Sequence, residues 1–324
     1  MDALSGVVNA ASNAPKMLFY TTFDGMSINV GGTYAADSID PSRNFYTPFS
    51  DTSDSTTGYD LSTDIKALFG SSTLVIIQSI PQQAILLADF GTYHSPDVSS
   101  GQITLTCDLR DFTGSPNPQS HLLISRSAAQ ALANDVNELC VVTYFKLPAG
   151  LDLQVGNTST GKFFIPFEIK TGGYNNQAGV GDMRFKLQID GTNGFNEYVC
   201  TVDDNANGNG IVPGVPASTT IFYRNFSGVT AALDTWTKFY LWWNRSAGRL
   251  TMAVEPDGGV FKVIGDVYPR DLQASVLNKT TLYGVQNLPI TRMFFVSNYT
   301  STNIPAPTIV KEIQLWNKPP IELV

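Results

Sequence analysis

Lys238-Phe-Tyr-Leu-Trp-Trp-Asn-Arg245 alternates two kinds of side chain with a period of two. Phe239, Leu241 and Trp243 fall on one face, and the residues between them, including Lys238 and Asn244, fall on the other. Successive side chains of an extended chain project to opposite sides, so this pattern predicts a β-strand that is buried on one face.

The same alternation recurs along the second half of the chain. Phe163–Lys170, Met183–Asp190 and Glu312–Trp316 each separate an apolar face from a more polar one. Gly- and Asn-rich stretches such as Asn205–Gly210 and Pro256–Gly259 interrupt the strands with turn signals. Many short strands of this kind predict an all-β fold, an antiparallel β-sandwich.

The first third of the chain has weaker signals. We predict strands at Leu18–Phe23, Leu74–Gln78, Ala84–Phe90 and Gln102–Asp108, and short helices at Ser62–Gly70 and Ser127–Leu139. Residues 34–60 are rich in Ser, Thr, Asp and Pro and predict a long surface excursion. No repeat or linker is visible, so we expect an N-terminal arm at 1–15 and one elaborated domain at 16–324.

Composition excludes several classes of function. The chain of 324 residues has a formal net charge of −8, a pI near 4.7 and 11% aromatic residues. An acidic chain is a poor partner for nucleic acid or an anionic membrane surface, since both attract basic patches. No apolar run approaches the length of a membrane-spanning helix, so we expect no membrane insertion. The N-terminus lacks the features of a signal peptide, which indicates either a mature chain or a protein that leaves its cell by another route, for example inside a virus particle. We expect a location outside the cell or on a virion surface.

The polar faces of the predicted strands carry aromatic, basic and amide side chains together. Aromatic rings pack against the apolar side of sugar rings, while Arg, Lys and Gln donate hydrogen bonds, and basic groups attract uronate carboxylates. If the strands are neighbours, these side chains line one surface with a locally positive groove. The alternative is that they form ordinary solvated strand faces. The predicted glycan-binding residues are Tyr144, Lys146, Glu168, Arg184, Lys186, Gln188, Lys238, Tyr240 and Trp242.

Other chemistries have little support in the sequence. Three cysteines and two histidines form neither a disulfide framework nor a metal cluster nor a catalytic triad. The loop Asp203–Gly210 is rich in oxygen ligands that suit Ca²⁺, but it lacks the terminal glutamate of an EF-hand. Its Asn and Gly residues are equally typical of an ordinary turn. We therefore predict no cofactor and no metal site, with Ca²⁺ at this loop as the alternative.

One segment of the chain resembles a known group of proteins. The run Leu139-Cys-Val-Val-Thr-Tyr-Phe-Lys-Leu-Pro-Ala-Gly-Leu-Asp-Leu-Gln-Val-Gly156 resembles a passage of the jelly-roll polysaccharide lyases, members of the concanavalin A-like lectin/glucanase superfamily. Later segments follow in the order expected there, over roughly 139–320. They are Asp182–Gly191, Asp234–Asn244, Gly248–Gly259, Arg292–Tyr299 and Ile309–Pro320.

The catalytic residues of that superfamily are matched poorly. Its glycoside hydrolases use a Glu-x-Asp-x-(x)-Glu strand, whereas Glu168, Glu197 and Glu255 each stand alone here. A lyase needs a base, an acid and cations. The residue types that can supply them are present at Tyr144, Lys146, Arg184, Lys186, Lys238 and Tyr240. The active-site strand of the lyases, however, is not matched residue for residue.

Three functions follow from these observations. The leading hypothesis is a non-catalytic, lectin-like module on a phage or virion surface, a capsid decoration or fibre protein that contacts host glycans. Its N-terminal arm would then attach to a capsid or tail protein. The alternatives are a polysaccharide lyase acting on a uronate-containing polymer and a purely structural capsid component.

Overall fold

A computed structural model gives the fold of the chain. The structure describes residues 14–21, 26–28, 45–51, 68–69, 74–80, 97–99, 102–105, 119–125, 138–151, 153, 163–171, 183–204, 221–268, 290–300 and 308–323. Across these ranges the backbone is almost entirely extended, and Leu68 and Phe69 are the described residues in helical conformation.

The described residues form seventeen strands. In chain order they are β1 (Met17–Thr21), β2 (Met26–Ile28), β3 (Phe45–Asp51), β4 (Leu74–Ile80), β5 (Asp97–Ser99), β6 (Gln102–Leu105), β7 (Gln119–Ser125), β8 (Glu138–Lys146), β9 (Phe163–Thr171), β10 (Met183–Asp190), β11 (Glu197–Asp204), β12 (Ile221–Thr230), β13 (Trp236–Asn244), β14 (Arg249–Pro256), β15 (Lys262–Val267), β16 (Ile290–Thr300) and β17 (Thr308–Trp316).

These strands form two antiparallel sheets. The first sheet has the order β15-β14-β13-β8-β17-β6-β5, and β1 pairs with β17 beside it. The second sheet has the order β12-β11-β10-β9-β16-β7-β4-β3-β2. The architecture is therefore an all-β antiparallel sandwich, which confirms the predicted fold class.

The main core lies between the two sheets. From the first sheet it takes the apolar positions of the alternating strands, among them Phe239, Leu241 and Trp243 on β13. From the second sheet it takes Phe185 and Leu187 on β10 with their counterparts on β9 and β11. The ring centroids of Phe185 and Trp243 lie 4.8 Å apart, so the aromatic residues of the two sheets contact each other directly. The strand faces that the alternation predicts to be buried are those that form this core. The reason is that successive side chains of a strand point to opposite sides, so each strand has one apolar side.

A second, smaller cluster covers the opposite face of the first sheet. It consists of Cys140, Val142, Tyr240 and Ala253 together with Leu323, which is only 3% exposed. Phe261 packs against this cluster, and its ring lies 5.9 Å from that of Tyr240. The segment that follows β17 therefore folds back over the centre of this face. Burial in this cluster raises the pKa of the Cys140 thiol.

The two sheets meet closely at one edge. The side-chain amide of Asn225 on β12 donates a hydrogen bond of 2.7 Å to the carbonyl of Ile264 on β15. Beside it, a Cβ atom on Gly265 would lie 2.4 Å from the Cβ of Cys200 on β11. Only glycine lets the strands approach this closely, and burial raises the pKa of the Cys200 thiol to about 12.

The first third of the chain differs in part from the prediction. Residues 34–60 were expected as a surface excursion, but they contain β3, which pairs with β4 and extends the second sheet. The strands expected near Leu18 and at Leu74–Gln78 are present as β1 and β4, and β6 begins where Gln102–Asp108 was expected. Residues 1–13 of the predicted arm at 1–15, the strand at Ala84–Phe90 and most of both predicted helices lie outside the described residues.

Candidate functional site

The outward face of the first sheet, away from the main core, carries rows of side chains that run across its strands. The pairing of β13 with β8 places Lys238 beside Tyr144 and Trp236 beside Lys146. The pairing of β17 with β8 adds Glu312 next to Tyr144. Since all these positions alternate with core residues, their side chains share this outward face.

At one end of this face, two aromatic rings are surrounded by lysines. Tyr144 and Trp236 are half-buried, and their ring centroids lie 6.2 Å apart at an angle of 50°. The Lys311 ammonium lies 4.2 Å from the Tyr144 centroid and 4.4 Å from that of Trp236. Lys238 lies 5.5 Å from the Tyr144 ring and Lys146 5.6 Å from the Trp236 ring. These are cation–π distances, and we name these five residues the aromatic–lysine cluster.

Two backbone irregularities position this cluster. The register between β17 and β8 shifts between Val310 and Glu312, so Lys311 departs from the regular alternation. Such a bulge redirects a side chain, which explains why Lys311 reaches the two rings. Asp234 has a φ of 48°, a left-handed conformation that aspartate tolerates better than most residues. Its carboxylate lies 3.2 Å from the Lys146 ammonium, although it remains 65% exposed.

Three more carboxylates border the cluster, and each accepts a hydrogen bond. The Tyr144 hydroxyl donates to Asp257, and the Tyr240 hydroxyl donates to Glu255 over 2.8 Å. Glu312 accepts from a neighbouring glutamine amide on β17. Partial burial, the hydrogen bond to Asp257 and the three negative charges raise the pKa of Tyr144 to about 12. The pKa of Tyr240 is also raised, by burial and then by Glu255. Both phenols therefore keep their protons at neutral pH.

At the other end of the outward face, Arg249, Thr251 and Asp266 form a hydrogen-bonded group that we name the charge clamp. Arg249 donates two hydrogen bonds to Asp266, over 2.9 and 2.8 Å, and its guanidinium lies 5.4 Å from the Trp242 ring. Thr251 donates a further hydrogen bond of 2.9 Å to Asp266. The Trp242 indole donates to Glu138 over 2.9 Å. The bidentate pair of Arg249 with Asp266 links β14 to β15 at the edge of the sheet, and the contact of Arg249 with Trp242 supports it.

Because of the charge clamp, we expect the free energy of unfolding to depend on pH in the acid range. The hydrogen bonds from Arg249 hold the pKa of Asp266 below its usual range, so its stabilising contribution is present at neutral pH and lost as the pH falls through the folded-state pKa. We expect Asp266→Asn to lower the free energy of unfolding by less than about 1 kcal/mol at pH 7. Urea denaturation at pH 7 and pH 3 measures this, and the difference between variant and wild type should be smaller at pH 3 than at pH 7. A difference that is unchanged at pH 3 would contradict it, and Glu322→Gln in the exposed tail is the control.

The remaining predicted site residues lie on the second sheet. Glu168 is on β9, and Arg184, Lys186 and Gln188 are on β10, where Lys186 pairs with Glu168 across the strands. Glu168 and Gln188 are buried, while Arg184 and Lys186 are half-buried. Side chains of these strands that alternate with the main core point away from the first sheet. They therefore do not join Tyr144 and Lys238 on one surface.

Beside them, a buried network holds the edge of the second sheet. Asp190 is fully buried and forms an ion pair with Arg224 of β12. Its carboxylate also accepts hydrogen bonds from the Gln188 side chain over 3.0 Å and from the Thr192 backbone over 2.7 Å. Thr201 in turn donates to Gln188 over 3.3 Å. Gln188 is therefore engaged in a structural network rather than available at a surface.

The structure thus divides the nine predicted residues between two sheets. Tyr144, Lys146, Lys238, Tyr240 and Trp242 share the outward face of the first sheet. Of these five, Tyr240 is buried beneath Phe261 and the tail, and Trp242 lies at the clamped end. The expectation of one continuous surface formed by all nine is wrong, because β8 and β13 belong to one sheet and β9 and β10 to the other.

Sequence reasoning missed several residues of this face. Trp236 lies two positions before Lys238, so extending the alternation of β13 backwards would have found it. Lys311 gave no such signal, since simple alternation puts it on the same side as Ile313. The carboxylates Asp234 and Asp257 lie in turns, where the period of a strand carries no information.

The geometry also bears on the other predicted chemistries. A lyase base must lose a proton readily, whereas Tyr144 and Tyr240 both have raised pKa values and donate to carboxylates. No group of three or more potential metal ligands occurs among the described residues. Most of the loop Asp203–Gly210, the predicted Ca²⁺ alternative, lies outside them. None of the described helical residues belongs to a helix that is long and apolar enough to cross a membrane.

Comparison with known proteins gives weak structural likenesses only. No family model and no curated protein matches the sequence. Among solved structures, the CBM2 module of the evolved Dit of Lactobacillus casei BL23 phage J-1 has a TM-score of 0.40 and 8% identity, over 94% of this chain and 96% of that one. Botulinum neurotoxin type C, whose cell entry depends on two ganglioside molecules, has a TM-score of 0.37 and 9% identity, over 76% and 44%. Peanut lectin with a nine-residue peptide has a TM-score of 0.34 and 15% identity, over 69% and 88%.

These structures therefore include a lectin and other binding modules. Their TM-scores and identities are too low to assign the chain to a family or to carry a function over to it. Membership of the concanavalin A-like superfamily stays a prediction, while the class of fold, an antiparallel β-sandwich, follows from the sheets themselves.

Proposed function

We propose that this protein is a non-catalytic carbohydrate-binding module that uses the aromatic–lysine cluster. The observation that carries the proposal is the pair Tyr144 and Trp236, half-buried on an outward sheet face with three ammonium groups within 5.6 Å of a ring. Large aromatic rings that remain partly open to solvent on a polar face suit sugars, since a sugar offers an apolar side and a rim of hydroxyl groups.

The polar groups around the rings supply what sugar hydroxyls need. Each lysine ammonium has three hydrogen-bond donors, and a cation–π contact leaves these donors able to bond to a ligand. The carboxylates of Asp234 and Asp257 are exposed at the rim and can accept hydrogen bonds. Both donors and acceptors therefore lie around the two rings, and recognition of sugar hydroxyl groups uses both.

The first test is the change Trp236→Ala. The carbonyl of Trp236 accepts a backbone hydrogen bond of 2.8 Å from Asp257, and alanine retains it, so the turn should persist. Loss of the ring should weaken binding to the best-bound sugar by about tenfold or more, because stacking contacts and buried ring area are lost. A glycan array identifies the sugar, and isothermal titration calorimetry measures the dissociation constant.

A matched control removes a different exposed aromatic ring. Phe226 on β12 is 38% exposed and belongs to the second sheet. Phe226→Ala should leave the dissociation constant unchanged. Equal losses for both variants, or no binding by the wild type to any glycan, would refute a carbohydrate site at the aromatic–lysine cluster.

The biological setting that we propose is the surface of a phage or virion, where the module would contact host glycans. This rests on the low charge and the Asn-, Ser- and Thr-rich composition of the sequence, with the arm at 1–15 as the attachment segment. Co-sedimentation with capsid or tail particles tests it. The full chain should sediment with the particles, and a chain that lacks residues 1–15 should not; equal behaviour of the two would count against it.

A further inference from the structure

The charges around the aromatic–lysine cluster do not favour an anionic ligand. Three ammonium groups, those of Lys146, Lys238 and Lys311, lie at the rings. Four carboxylates surround them, and they belong to Asp234, Glu255, Asp257 and Glu312. Among the described residues, the surroundings of the cluster therefore hold one more carboxylate than ammonium group. The locally positive groove expected from the sequence is absent from the described part of this face.

The position of the negative groups matters more than their number. The Asp257, Glu255 and Glu312 charges all act on the Tyr144 hydroxyl in the same direction, since each raises its pKa. The ammonium of Lys146 lies within ion-pair distance of Asp234. The two rings at this end of the face thus lie among carboxylates, and an incoming carboxylate would be repelled at short range.

We infer that the site is specific for uncharged saccharides and discriminates against uronate, sialylated or sulfated ones. This rests on the proposed function of the aromatic–lysine cluster and names its ligand class. Asp257, Glu312 and Glu255 are the specificity-determining residues. They accept hydrogen bonds from sugar hydroxyls and oppose an acidic substituent, while the lysines donate to hydroxyl and ring oxygens.

The experiment compares matched ligands. The neutral glycan that binds best on an array is oxidised at its C6 positions, which gives a uronate counterpart with the same backbone. We expect the neutral form to bind about five- to tenfold more tightly at low ionic strength, the size of one charge repulsion at close range. The difference should shrink in high salt. Equal or tighter binding of the oxidised form would overturn the inference.

Variants separate the carboxylates from other causes. The double change Asp257→Asn with Glu312→Gln should shift the ratio of the two dissociation constants about fivefold in favour of the uronate form. Glu322→Gln, an equal change of charge in the exposed tail, is the matched control. Discrimination that is unchanged in the double variant would overturn the assignment of these residues.

A measurement without any ligand tests whether the carboxylates create a negative electrostatic potential at Tyr144. Titration of the Tyr144 ring by NMR should show its pKa near 12 in the wild type and a lower value in Asp257→Asn. An unchanged pKa in the variant would refute the negative potential at Tyr144. Failure of Trp236→Ala to weaken any binding would instead refute the carbohydrate site itself, so the two failures are distinguishable.

Discussion

Gly265→Ala should lower the free energy of unfolding by about 3 kcal/mol, near the upper end of what overpacking costs. A Cβ atom at this position would lie 2.4 Å from the Cβ of Cys200 and 2.5 Å from its sulfur. These atoms belong to β11, so relief requires a shift of one sheet away from the other. The hydrogen bond from Asn225 to Ile264 would then lengthen as well. Urea denaturation followed by intrinsic tryptophan fluorescence measures the loss.

Gly150→Ala is the matched control for this change. Gly150 lies in an exposed turn, and a Cβ atom there would meet nothing within 4 Å. Its stability should stay within about 0.5 kcal/mol of the wild type, as for most surface changes. If the two alanine variants were equally stable, the close approach of β15 and β11 would not be a constraint on the fold.

Trp243→Ala should lower the free energy of unfolding by about 4 kcal/mol, the largest loss expected from a single truncation among the residues that the structure describes. Trp243 is fully buried at the centre of the main core, with its ring 4.8 Å from that of Phe185. Removing the ring leaves a cavity between the two sheets and exposes the facing aromatic surface. Thermal and urea unfolding monitored by circular dichroism give the change in stability.

Trp243→Phe should be much milder and makes the test specific. The Trp243 indole nitrogen is buried without a hydrogen-bond partner among the described residues, and an unpaired donor costs stability. Phenylalanine retains most of the apolar contact and removes that donor. A loss as large as that of the alanine variant would show that ring volume is not what the core requires.

The class of fold could be predicted because it depends on a local property of the sequence. Alternation in Phe163–Lys170, Met183–Asp190 and Lys238–Arg245 reports which side of each strand is buried, and the structure confirms all three as strands. The segment at 34–60 was misjudged because its Ser, Thr and Pro content resembles a loop. Its strand Phe45–Asp51 forms through pairing with β4, which is a non-local interaction.

The site could be predicted only in part, for a related reason. Alternation shows that Lys186 and Lys238 each lie opposite an apolar face, but it does not show which sheet a strand joins. Sheet membership depends on pairings between distant segments, such as β8 with β13 and β17. The position of Lys311 depends on a bulge, which reverses the side that simple alternation assigns.

The order of the strands has a consequence for synthesis of the chain. β16 lies between β9 and β7 in one sheet, and β17 lies between β8 and β6 in the other. Both therefore occupy interior positions, yet they emerge from the ribosome after the fifteen strands that precede them. Until they emerge, β7, β8 and β9 each have an edge that lacks its final neighbour. The unpaired backbone groups of such an edge can pair with another chain, which leads to aggregation. The nascent polypeptide should thus complete the two sheets only after β17 has emerged, and should benefit from chaperones until then.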